Sequence, residues 1–402
     1  MPEPEVPWRS ATLYLILASS MMGVMGVTIV SPVLPELRPV FGITDEQVGL
    51  VITAYTIPGI FLTPFIGLAA DRFGRKTVLV PLLFTFGVGG AAIAFVDAFA
   101  LVLVLRFIQG VGACGLVMLA ITLIGDIYVG TQQRTVIGLN SSMMSSGAAF
   151  YPLIGGVFAA IYWGLPFLFF AIGIVVAIVA LFVLEEPESE ETVDARAYVS
   201  RMKTVVLLPE AILIFAANFA VFFIFFGAVV TALPLLLSDE FGLSVSLIGL
   251  VLSAVAISSA VVSSQYGRIS ELQSPSQLLA LGFVIFGASF FVVWIAPNAF
   301  VVGLGLFSFG LGLGVVMPSV EVTIVTLVSE HLRAGMMGVR TSLIFLGQTL
   351  GPVAFTFTAQ RFFVETVDGY YALILVSSVI FLVSGMIAYV VLRRDERNYS
   401  VQ

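Results

Sequence analysis

Apolar residues run through this chain in blocks of roughly 20 or more, separated by short stretches that carry charge, proline or glycine. Such blocks fall near residues 11–35, 47–69, 77–96, 100–124, 138–161, 165–184, 210–236, 245–265, 276–295, 300–325, 338–361 and 370–392. Each is long enough for a helix rising 1.5 Å per residue to cross a hydrocarbon layer about 30 Å thick. The pattern predicts an all-α membrane protein with twelve transmembrane helices. The longest polar interruption, 185–209, begins Glu185-Glu186-Pro187-Glu188 and divides the blocks six and six. That spacing gives a tail at 1–10, a six-helix bundle at 11–184, a linker at 185–209, a second bundle at 210–392 and a tail at 393–402. Within the linker, Ala195 to Leu208 mixes Arg196, Arg201 and Lys203 with Val199, Met202 and Val205. This suits a short helix lying on the membrane surface; a solvated loop is the other reading.

Composition agrees. The 402 residues are 59% hydrophobic and 10% charged, with a mean hydropathy of +1.12, well beyond the roughly 45–50% apolar content of soluble domains. Basic residues then orient the spans. Most of them, from Arg9 and the Arg72–Lys76 loop to Arg393, Arg394 and Arg397, fall on one side; Arg38 and Arg361 fall on the other, and Arg106 lies within a span. The positive-inside rule places both termini in the cytoplasm of a cell membrane. The acidic, proline-containing opening Met1 to Arg9 is unlike a removable signal peptide.

The chain also repeats itself at an offset of 200 residues. Phe41-Gly42-Ile43-Thr44 is matched by Phe241-Gly242-Leu243-Ser244, and Val48-Gly49-Leu50 by Ile248-Gly249-Leu250. The register holds through Gly67 and Gly267, Asp71 and Glu271, Gly110 and Gly310, Gly138 and Gly338, Gly147 and Gly347, and Pro152 and Pro352. Two parallel halves related by an axis along the membrane normal follow, with a substrate site between them near mid-membrane.

Between spans 2 and 3 the chain reads Gly67-Leu-Ala-Ala-Asp71-Arg72-Phe-Gly74-Arg75-Lys76. Gly67 and Asp71 are four apart and share a helix face. The glycine allows close helix approach, the carboxylate can accept from free amides at a neighbouring helix's amino end, and Gly74 permits a sharp turn. With this loop the sequence closely resembles the major facilitator superfamily, and the resemblance extends from Ala11 to Leu392. Gly74-Arg75-Lys76-Thr77 does not make a phosphate-binding loop, because Gly is not directly before Lys and Ala69 stands where another Gly is needed.

The resemblance continues in Arg106-Phe-Ile-Gln109-Gly110-Val-Gly112, where it implies an arginine facing the central cavity. An arginine in hydrocarbon costs at least about 2.5–3.5 kcal/mol, so Arg106 requires a partner or water. Asp126 and Arg134 match an inner charge cluster that pairs with the first loop. Gly138, Gly147, Tyr151-Pro152 and Gly155-Gly156 resemble the glycine-proline motif of drug and proton antiporters, with Tyr151 where a glycine is usual; Gly347 and Gly351-Pro352 repeat part of it. Small residues at these positions also serve helix packing.

The family implies alternating access, with two halves rocking about a central site. Met21, Met22, Met25, Gln109, Asn218, Phe222, Phe226, Met317 and Phe345 are the candidate cavity residues, since methionines and aromatics form adaptable apolar surfaces. Arg106 and Glu321 are the candidates for coupling. The offset aligns Glu321 with Ile121, 15 residues beyond Arg106 and hence about 22 Å deeper, so the two do not pair. A gate contact between Glu321 and Arg340 is the first reading of that carboxylate, a proton carrier the second. Asp71 is expected to meet the start of span 11, with Arg75 or Arg72 on Asp126.

These features suggest a monomeric secondary transporter that exports lipophilic or amphipathic small molecules in exchange for protons. An importer or uniporter for a defined metabolite, and a non-transporting membrane sensor, are the alternatives. One cysteine, Cys114, and one histidine, His331, cannot build a multi-ligand metal site. No cofactor, no enzymatic constellation and no nucleic-acid partner is expected at a pI near 4.8. The topology is testable: in a Cys114→Ala background, cysteines at Ser189 and Thr44 should react with an impermeant maleimide from opposite sides of the membrane. Labelling from the same side would overturn the twelve-span reading.

Overall fold

In hydrocarbon, no water is available to satisfy a peptide N–H or C=O, so a span must bond within itself as a helix. The computed structural model describes residues 8–186, 209–327 and 330–399. Among them lie α1 (Ala11–Phe41), α2 (Asp45–Phe73), α3 (Arg75–Phe95), α4 (Phe99–Ile127), α5 (Gly130–Ile161), α6 (Leu165–Val183), α7 (Ala211–Asp239), α8 (Val245–Ser264), α9 (Pro275–Trp294), α10 (Ala299–Leu327), α11 (Glu330–Phe362) and α12 (Thr366–Tyr399). These twelve helices correspond one for one to the twelve apolar blocks. Most of the expected linker, including its surface helix, lies outside the described residues. The last helix continues to Tyr399, past the end of its apolar run, where a tail was expected from 393.

Local chemistry sets the helix ends. The Ser10 hydroxyl accepts from the Leu13 amide at the start of α1, and Gln47 accepts from the Thr44 amide at the start of α2. Ser274 and Gln277 exchange such bonds at the start of α9. The turns before α2 and α8 use the repeated glycines Gly42 and Gly242, with φ of 63° and 60°. Interruptions are local too. A 3₁₀ turn at Ser31–Val33 breaks α1, Cys114 and Gly115 interrupt α4, and a π-helical stretch, Phe225–Ala232, widens α7. Helix α2 bends by 56° between Thr63 and Phe65, where Pro64 cannot donate a backbone hydrogen bond.

The helices form two six-helix bundles, α1–α6 and α7–α12, which meet chiefly through α5 against α8 and α2 against α11. The repeat places the same device in both seams. A Cβ at Gly49 would stand 3.1 Å from the Pro352 carbonyl oxygen, and one at Gly249 would collide with that of Pro152. Gly156 similarly admits the Val245 carbonyl. Glycine is required here because the backbones themselves touch.

The two ends of the bundle pair differ. At one end, Ser31 donates to the Val230 carbonyl (2.6 Å), Ser246 to the Gly156 carbonyl (3.2 Å) and the Glu46 amide to Gln360 (2.9 Å). Each of these bonds crosses between halves. Deeper in, Thr53 donates to the Thr349 carbonyl (2.7 Å), and Phe345 lies over Gly59. At the other end, the ion pairs among the described residues stay within one half. Among the described residues, polar bonds cross between the halves at the first end, the sealed one, and not at the second, the parted one.

Gly249→Val drives a branched side chain into the Pro152 carbonyl, and overpacking of this kind costs about 1–3 kcal/mol. Thermal unfolding in detergent should show a clear loss of stability for Gly249→Val and no comparable loss for Gly338→Val, whose site is open. Equal melting of both would contradict the seam.

Candidate functional site

Between the halves, α1, α5, α7, α8 and α10 enclose a cavity of about 220 Å³. Its walls include Thr28, Ser31, Ser145, Pro152, Val255 and Ser259, with valine, leucine, alanine and phenylalanine between them and no ionisable residue. It is an apolar space with a few hydroxyls. Such a lining accepts uncharged surface and penalises an unpaired charge.

Most sequence candidates for this cavity stand elsewhere. Met22, Met25, Gln109, Asn218 and Phe226 are buried in the helix bundles, and Met21, Phe222, Met317 and Phe345 are half-buried. None lines the cavity. Phe345 instead fills the α2–α11 seam, while Asn218 is 1% exposed with neither amide atom partnered among the described residues. Hydrophobic type identified interior residues without distinguishing interior from lining.

Arg106 does not face the cavity. It is fully buried within the first bundle, donating Nε–H to the Val51 carbonyl (3.1 Å) and Nη1–H to the Gly26 carbonyl (3.0 Å) and Gln109 Oε1 (2.8 Å). Its guanidinium lies 4.4 Å from the centroid of the Tyr55 ring. The partners are dipoles and a ring face, not a carboxylate. Arg106 Nη2, Gln109 Nε2 and the Tyr55 hydroxyl have no hydrogen-bond partner among the described residues.

At the parted end, Arg75 joins Asp71 (3.0 Å) and Asp126 (2.8 Å) and donates to the Ala70 carbonyl (3.2 Å). Gly74 makes the turn with a φ of 98°. One expectation is corrected here, that for Arg134. Asp71 is 61% exposed and paired with Arg75; the side chains at the start of α11, which it was expected to meet, lie outside the described residues. The free amides starting α3 are capped by Glu186, which accepts from Lys76 N (3.2 Å) and Thr77 N (3.4 Å). Arg134 donates to Thr131 of its own helix instead of joining the cluster. Arg72 lies by Phe73.

Two glycines also depart from expectation. A Cβ at Gly67 would make ordinary contact with Met118 at 3.5 Å, and one at Gly138 would meet nothing, so neither mediates close packing in this conformation. Gly147 lies against the Tyr151 ring, Gly155 against the Ile29 carbonyl, and Gly347 and Gly351 against the α7 backbone near Phe223. Tyr151 is 5% exposed, and its neighbour Pro152 lines the cavity instead. In the second half Arg340 donates to Glu321 (3.2 Å), while Glu271 follows a short exposed helix, Tyr266–Ser270.

Sequence reasoning missed the cluster at the sealed end. Arg38 forks onto Asp239 (2.7 and 2.5 Å) and also holds Asp45 (2.9 Å), while the Tyr370 hydroxyl donates to Asp45 (3.0 Å). Two of these residues come from each half. A bidentate arginine–carboxylate pair is among the stronger polar contacts available, and these side chains are 10–29% exposed. The available signal was Arg38 itself, one of two basic residues outside the basic face.

The sequence model of the Major Facilitator Superfamily matches residues 16–236 and 215–402. The bacillibactin exporter of Bacillus subtilis (strain 168) is 26% identical over 348 residues, 82% of this chain and 85% of that protein. The quinolone resistance protein NorA of Staphylococcus aureus (strain Mu50 / ATCC 700699) is 32% identical over 170 residues, 42% of this chain and 44% of that one. Among solved structures, a bacterial homolog of the human lysosomal transporter Spinster, inward-facing and unoccupied, superposes with a TM-score of 0.81 at 17% identity over 96% of both chains.

The Arg38 cluster should hold the sealed end shut. Spin labels at Asp97→Cys and Pro297→Cys, exposed positions related by the repeat, should report one main distance between the halves in the parent protein. Arg38→Gln should shift several-fold more molecules to a longer distance, with Arg38→Lys intermediate. An unchanged distance distribution would show that the cluster holds nothing.

Proposed function

This chain belongs to the Major Facilitator Superfamily, and from that membership we propose that it exports lipophilic or amphipathic small molecules across the cell membrane in exchange for protons. It is a membrane transporter, not an enzyme. The observation that carries the reading of lipophilic cargo is the cavity between the halves, whose lining holds no ionisable residue. The exporters among its relatives favour outward transport.

In this reading the basic face is cytoplasmic and both termini lie there, so the structure represents an inward-facing state. Cargo enters between the parted ends or from the inner leaflet. Opening outward then requires release of Arg38 from Asp239 and closure of the Asp71–Arg75–Asp126 region against the second half.

Coupling is assigned to the two charged positions inside the spans. Arg106 holds a positive charge in the first bundle through carbonyl dipoles, so its bonding responds to movement of α1 and α2, which supply Gly26 and Val51. Glu321 is 52% exposed and tied to Arg340, a geometry that favours an inner-gate contact over a buried proton carrier.

Proteoliposomes with an imposed pH gradient test this function against a panel of lipophilic dyes. Transport should require the gradient and fall below one-tenth in Arg106→Ala. Glu321→Gln should impair gradient-driven transport and substrate exchange together. Retained exchange with loss of gradient dependence would instead make Glu321 the proton carrier, and parental rates in Arg106→Ala would remove that residue from coupling.

A further inference from the structure

The cavity lies to one side of the pseudo-twofold axis, and the repeat explains why its mirror position is filled. A shift of 200 residues carries Ser145 to Phe345, Val255 to Tyr55, Ser259 to Gly59 and Phe225 to Met25. On the filled side the Phe345 ring occupies the space over Gly59, and the Tyr55 hydroxyl reaches the position a Cβ on Gly26 would take. Tyr55 is further held beneath the Arg106 guanidinium. Each large ring faces a glycine that makes room for it.

On the cavity side the counterparts of Phe345 and Tyr55 are small. Ser145 and Ser259 stand where Phe345 and Gly59 meet, and Val255 stands where Tyr55 does. The hydroxyl bonds are gone as well. Thr349 donates to Thr56 (2.9 Å) and Thr53 to the Thr349 carbonyl (2.7 Å), tying α2 to α11 at mid-depth. The equivalents of Thr349 and Thr56 are Ala149 and Ala256, and Ser253, the equivalent of Thr53, bonds back to Gly249 of its own helix (2.8 Å). One seam is zipped and filled; the other is left hollow.

We propose that cargo binds off the axis in this hollow seam, and that Ser145 and Val255 set its size from opposite halves. The cargo class is a compact, uncharged molecule with a ring or branched alkyl body. The lining has no ionisable residue, and about 220 Å³ is below the roughly 300–1,000 Å³ of drug-sized pockets. The scattered hydroxyls of Thr28, Ser31, Ser145 and Ser259 meet one or two polar atoms. This inference rests on the transport reading but assigns the site and cargo class independently of direction or coupling.

The probe is N-phenyl-1-naphthylamine, neutral and fluorescent in apolar surroundings, titrated into purified protein in nanodiscs with empty nanodiscs subtracted. The parent should show a saturable component. Ser145→Phe places a ring where Phe345 stands in the other seam, and Val255→Tyr fills the cavity from α8; each should weaken probe binding at least tenfold. Helicity and gel-filtration profile establish that the variants are folded, and either folded variant suffices.

Parental affinity in a folded Ser145→Phe or Val255→Tyr protein would overturn the assignment, as would a parent with no saturable component. Dye efflux by the parent is measured alongside. Efflux that survives both filling variants defeats the off-axis site and leaves the exporter reading standing. Saturable binding lost in the variants, without efflux by the parent, retains the site and defeats the exporter reading.

Discussion

Contact of backbone with backbone across the two halves is the constraint on which the arrangement depends. Lipid tails are as apolar as leucine, so helices in a bilayer gain little from hiding apolar side chains and associate through close packing and polar contacts. Gly49 and Gly249 permit that approach, each against the carbonyl of a proline in the opposite half. Because the two contacts are related by the repeat, they act as matched bearings on either side of the central axis. With the bearings near the sealed end, the opposite end is free to part.

Polar groups then differentiate the two ends. Arg38, Asp45, Asp239 and Tyr370 join both halves, whereas Arg75 with its two aspartates and Arg340 with Glu321 each brace a single half. A bond that crosses the interface has to break when the halves rock; a bond within one half travels with it. The same chemistry of arginine and carboxylate therefore serves as a latch at one end and as internal bracing at the other.

The repeat also shows how a duplicated scaffold acquires one site. Symmetry would give two equivalent hollows, one in each seam. Exchanging a serine for Phe345 and a valine for Tyr55 leaves only one of these two positions open, and the filled seam gains the threonine bonds that the hollow seam lacks. Arg106 belongs to the filled side, where it lies against the Tyr55 ring, and it is not part of the cavity lining. Buried charge and apolar cargo can then share one small membrane protein without either being placed in the other's surroundings.

The sequence by itself determined the twelve spans, the two halves and their axis. Hydrophobic block length answers directly to bilayer thickness, and a constant offset of 200 residues survives only where duplicated units remain structurally equivalent. It also showed that Arg106 and Glu321 could not meet, because depth along a helix follows from residue count. It could not show which side of a buried helix faces a cavity, since in a span that is apolar all round periodicity carries little facing information. Met25 and Phe226 therefore resembled lining residues while being packed inside, and Ser145 and Ser259 passed as ordinary small residues. Tertiary structure alone decided the conformation, and with it the exposure of Asp71 and the capping of α3 by Glu186. The cap joins the start of α3 to a residue 110 positions further along the chain, and such a meeting is a property of the assembled bundle that no single segment encodes.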